Sequence, residues 1–74
     1  MKYYVVNIQI KDSTSTQSIF EYTTKEDAET AYHSTLASNY TGAKDGNLDS
    51  FSVVMLNQYG MMEDNECYDP HMYE

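Results

Sequence analysis

The sequence predicts an α+β fold: four antiparallel strands in the chain order β-β-α-β-β, with one helix on one face of their sheet. Three observations carry this expectation. Apolar side chains alternate with period two over residues 3–10 and 51–57, as strands require. Between these runs, Ala28, Ala31, Tyr32, Thr35, Leu36 and Tyr40 fall at the 3.6-residue spacing of one helical face. Polar segments suited to turns separate the periodic runs, with no internal repeat, low-complexity tract or linker.

In the first strand Tyr4, Val6, Ile8 and Ile10 share one face, expected to be the core face, and Tyr3, Val5, Asn7 and Gln9 share the other. Lys11 to Ser15 is a polar turn without glycine or proline, and residues 16–22 resume strand chemistry, so the two runs form a hairpin. Thr24 then offers a helix cap, with Glu26 and Asp27 where the positive end of the helix dipole favours acids. Thr41 and Gly42 are expected to end the helix, glycine entering the left-handed region without steric cost. After a loop holding Gly46, Phe51, Val53 and Met55 face one way along the third strand and Val54 and Leu56 the other. Gln58-Tyr59-Gly60 is a turn, residues 61–68 are an acidic fourth strand, and Asp69-Pro70 stops the ladder. The first and third strands are apolar on both faces and belong in the centre, which gives the order 2-1-3-4. Residues 1–68 are expected to form one domain and residues 69–74 an acidic C-terminal tail, mobile without a partner.

Seventy-four residues support one core, which excludes a catalytic cleft between domains. Twelve acids against four bases leave a net charge of −8, which excludes ordinary binding to a nucleic-acid backbone, where Lys and Arg displace counterions. Few Leu, Ile, Val and Phe at such a charge is a composition close to disorder. Eight tyrosines and five methionines oppose it, because tyrosine buries a large ring while its hydroxyl stays wet. The lone Cys67 cannot form an internal disulfide and the N-terminus lacks the apolar region of a signal peptide, so a reducing cytoplasm is the expected location. The longest apolar run, residues 53–56, is far below the ~18 residues of a membrane span, and no membrane partner is expected.

The motifs that could carry chemistry fall short. Asp45-Gly46-Asn47-Leu48-Asp49 opens like a calcium loop, yet its glycine is second, Ser50 is sixth and Leu56 stands where a bidentate Glu is needed. Cys67 and His71 form a C-x3-H pair without a second pair to complete a zinc site, and nothing orients His71 as a base for the thiol. His33 and Ser34, adjacent on a helix, point about 100° apart. Asn39-Tyr40-Thr41 matches a glycosylation triplet, which means little without secretion. No catalytic residue, metal or cofactor is therefore expected, and the chain reads as a non-enzyme.

What remains is surface. Glu63, Asp64, Glu66, Asp69 and Glu74 are interleaved with Tyr59, Met61, Met62, Tyr68, Met72 and Tyr73. Apolar anchors ringed by charge suit a protein interface, and acids on an edge strand also deter unwanted pairing. Tyr59, Met61, Met62, Glu63, Asp64, Glu66 and Tyr68 are the candidate partner-binding residues, for a basic protein. One helix covers one sheet face, so Tyr3, Val5, Val54 and Leu56 are the candidate homodimer interface on the other.

Lys2-Tyr3-Tyr4-Val5-Val6-Asn7-Ile8-Gln9-Ile10, Ile19-Phe20-Glu21-Tyr22 and Thr24 to Ser34 resemble small uncharacterised proteins encoded by phages and mobile elements of Gram-positive gut bacteria. The resemblance covers the first half of the chain and carries no site residues. It implies an accessory protein in the cytoplasm of a bacterial host that acts by binding a host protein, which the acids would require to be a basic host protein. The expected function is a non-catalytic, acidic, homodimeric protein-binding module. The alternatives are an anti-defence or regulatory inhibitor that imitates nucleic-acid charge, and a structural or assembly protein without acidic recognition.

Overall fold

In the computed structural model, which describes residues 1–69, strands β1 (Tyr3–Lys11) and β2 (Thr14–Tyr22) precede helix α1 (Lys25–Lys44), followed by β3 (Ser50–Leu56) and β4 (Met62–Tyr68). The four strands form one antiparallel sheet in the order β2-β1-β3-β4. The expected tail lies, except for Asp69, outside the described residues, as do His71, Met72, Tyr73 and Glu74. The β1–β2 turn is only two residues long, Asp12 and Ser13, at φ 52° and 66°. Two successive left-handed residues match the right-handed twist of the flanking strands, and here neither is glycine. Asp49 helps hold this turn: its carboxylate accepts from the Asp12 amide at 2.8 Å and lies 3.5 Å from the Lys11 ammonium. The Lys11 ammonium also donates to the Gly46 carbonyl at 3.0 Å. The loop that opened like a calcium site is thus latched onto the hairpin.

Thr24 caps α1, its hydroxyl accepting from the Asp27 amide at 3.2 Å. The helix does not stop at Thr41-Gly42 but continues to Lys44. A Cβ on Gly42 would lie 3.3 Å from Leu48 Cδ1, so glycine there serves close packing. The left-handed conformation falls on Gly46, at φ 81°.

The core lies between α1 and the odd-numbered residues of β1 and β3. Tyr3, Val5, Phe51, Val53 and Met55 pack against Ala28, Tyr32 and Leu36, with Val5 fully buried. This reverses the expected face: Tyr4, Val6, Ile8 and Ile10 lie on the open side, half-buried. Asn7 and Gln9 explain the reversal. They make the Tyr3/Val5 face look wet in sequence, but under the helix they meet Asn39, which is only 1% exposed. Gln9 Nε2 donates to Asn39 Oδ1 and Asn39 Nδ2 donates to Asn7 Oδ1, both at 2.8 Å. Three amides that would each be costly alone satisfy one another. Asn39 also replaces Tyr40 on the buried stripe, and at that burial the glycosylation triplet is closed to modification.

Candidate functional site

Cross-strand partners share a sheet face, so the register shows what lies on the side away from α1. Val6 pairs with Ile19 and Val54, and Tyr4 pairs with Glu21 and Leu56. Ile8 pairs with Gln17 and Ser52, while Leu56 pairs with Met62. The result is a continuous apolar surface of Tyr4, Val6, Ile8, Ile10, Val54 and Leu56, flanked by Ile19, which is 67% exposed, and by Met62. The four residues expected to form a dimer interface therefore divide. Val54 and Leu56 are on the open face, whereas Tyr3 and Val5 are beneath the helix and are corrected to core positions. Sequence reasoning missed Tyr4, Val6, Ile8 and Ile19 as open-face residues. The signal that could have found them is the agreement of three amides, Asn7, Gln9 and Asn39, across the helix-sheet contact.

The acids are segregated from this surface. Glu21 is the only acid placed on the open face by its strand pairing among the described residues, and Lys2 lies 2.7 Å from its carboxylate. That hydrogen bond and charge hold the Lys2 ammonium above its usual pKa. A bulge explains where the β4 acids go. Leu56 pairs with Met62 but Met55 pairs with Asp64, leaving Glu63 as the extra residue and reversing the alternation after it. Asp64, Glu66 and Tyr68 consequently share the helix side with Met55, Val53 and Phe51.

There they serve the fold. Glu66 accepts from the Tyr40 hydroxyl at 2.5 Å, and Tyr68 stacks on Phe51 with ring centres 5.6 Å apart. Tyr40 meets both Phe51 and Tyr68 edge-on. The Tyr32 phenol is pushed up to about 12, first by burial and then by the negative charges of Asp64 and Glu66 and a hydrogen bond with Asp64. Of the candidate partner-binding residues, then, Asp64, Glu66 and Tyr68 have intramolecular roles.

Tyr59, Met61 and Met62 remain as an exposed apolar tip on the β3–β4 turn. Asn57 builds that turn, its side-chain oxygen accepting from the Tyr59 and Met61 amides at 2.9 and 3.0 Å. Its amide nitrogen donates to Glu63 at 3.3 Å. Cys67 is exposed and pairs with Ser52 on the open side. No cavity opens among the described residues, no group of three or more His, Cys, Asp or Glu could hold a metal ion there, and no helix is long and apolar enough to cross a membrane. No protein-family model, curated protein or solved structure matches this chain.

Proposed function

We propose that this chain is a non-catalytic protein-binding module that pairs with a second copy of itself through the open sheet face. The observation that carries the reading is the coincidence of a large apolar face with near-absence of charge on a chain of −8. Of the acids paired in the sheet, two copies approaching face to face bring only Glu21, neutralised by Lys2, to the contact. At physiological salt, charges separated by more than about 8 Å are screened, so repulsion is weak where burial is strong. The four strands of one chain, seven to nine residues long, together present roughly 500 Å² in flat projection, so that a pair buries about 1,000 Å², the lower bound for a specific interface.

The pair then displays two identical acidic helix-side surfaces, with Glu26, Asp27 and Glu29 exposed on α1. These, with the Tyr59/Met61/Met62 tip, suit a basic protein partner, and a phage-derived accessory protein in a bacterial cytoplasm is a setting that fits. Acids imitating nucleic-acid charge are a narrower version of the same reading.

Substitution of the open face tests it. Val54→Glu or Leu56→Glu is expected to dissociate the pair while leaving the circular-dichroism spectrum of the fold. An open face that stays paired in both variants overturns the proposal. Replacing Glu63, Asp64 and Glu66 by their amides separates partner recognition from pairing. Capture of a basic partner should weaken, with thermal stability held or lowered, because the Tyr32 and Tyr40 hydroxyls exchange charged acceptors for neutral ones while self-repulsion falls. Equal capture would leave these acids as a solvated and structural set.

A further inference from the structure

The two edges of the sheet are not alike. The β4 edge carries Glu63, Asp64 and Glu66 and a bulge, the features that blunt an edge against further pairing. The β2 edge has none of these: nine residues in unbroken register with β1, no proline, and one charge, Glu21, near its end. The helix leaves it uncovered, since Phe20 on the helix side is 51% exposed and Ile19 on the open side 67%.

A two-residue turn joins Lys11 and Thr14 as a hydrogen-bonded pair, and such pairs alternate along an antiparallel ladder. The even-numbered residues of β2 therefore bond β1, while Ser15, Gln17, Ile19 and Glu21 direct their amides and carbonyls outward. The Asp49 amide donating to the Ile10 carbonyl on the β3 side fits the same alternation.

We infer that the β2 edge is a second self-association surface, where β2 of one chain pairs antiparallel with β2 of another about a two-fold axis at Ser18. This goes beyond the face pairing and does not depend on it. In that register Ser15 meets Glu21 of the other copy and Gln17 meets Ile19, so every outward backbone group on both strands is satisfied. Glu21 faces a serine and not its own copy, and the two Glu21 residues stand about six residues, or ~20 Å, apart, beyond the screening length. Phe20 falls opposite Thr16, an aromatic and β-branched pair of the kind that stabilises sheets. The axis is perpendicular to the sheet, so both helices stay on one side and two open faces join into one. Combined with face pairing about an axis that crosses this one at right angles, the product is a closed assembly of four chains.

Amide hydrogen exchange on the full chain, read residue by residue at about 10 μM and about 1 mM, tests this, because association responds to concentration. The amides of Ser15, Gln17, Ile19 and Glu21 should slow at least tenfold at the higher concentration, while the even-numbered β2 amides are protected at both. Face pairing alone leaves those four amides exchanging freely, which is the result that overturns the inference. Ser18→Lys places like charges directly opposite across the axis and should abolish the protection, as should Ser18→Glu. Mixing the two variants should restore it. Protection that survives Ser18→Lys, or a mixture that restores none, contradicts the register.

Discussion

Asn39 shows how one residue decides which face of a sheet becomes the core. Its amide is held between Gln9 and Asn7 at 2.8 Å on each side. Asn39→Ala leaves two half-buried amides without this partner, and should cost about 1–3 kcal/mol. For a domain this small, each kcal/mol is about 4–8 °C of Tm, which a thermal melt reads directly. Ser13, at φ 66°, is an opposite case. Ser13→Gly removes the steric cost of a left-handed non-glycine residue and should stabilise by about 1 kcal/mol, raising Tm. Tyr32 gives a pH signature, with its phenol at about 12 against an ordinary 10.0. Because the folded value is raised, its contribution is fully present below pH 10 and is lost as pH rises through about 12. Ultraviolet titration should show a late tyrosine ionisation, and Tyr32→Phe should diminish it by one group.

Elements were legible in the sequence wherever period and caps agreed. The first and third strands, the latter from Ser50 to Leu56 with Asn57 passing to the turn, the Thr24 cap and the order 2-1-3-4 all stand in the structure. What misled was polarity used as a proxy for exposure. Asn7 and Gln9 marked their face as the wet one, although the helix supplied Asn39 to meet them. Gly42 suggested a helix end because a glycine needed for close packing against Leu48 looks the same in sequence as one needed for its φ. The candidate site was legible only in part, since a bulge after Met55 reverses which β4 side chains face the helix, and no residue type announces it. Helix capping supplies a check at this scale. Thr24→Ala should cost about 1 kcal/mol of stability in denaturant unfolding, without altering association, because Thr24 lies on neither proposed surface.

At the scale of the whole molecule, a single helix over a four-stranded sheet leaves one face without cover, and here that face is both the most apolar and the least charged. Chains this short bury only about 60% of their unfolded surface, so pairing adds burial that the monomer cannot obtain alone. Half-buried side chains such as Val6, Ile8 and Val54 gain a fraction of the roughly 1.5–3 kcal/mol of full burial each, repeated twice by symmetry. Sedimentation equilibrium at micromolar concentration tests this most directly, using the Ser18→Lys chain so that only the face can pair. The account predicts a species of twice the 8.5 kDa of one chain, dissociated by adding Val54→Glu. A single species at 8.5 kDa in the Ser18→Lys chain would contradict it.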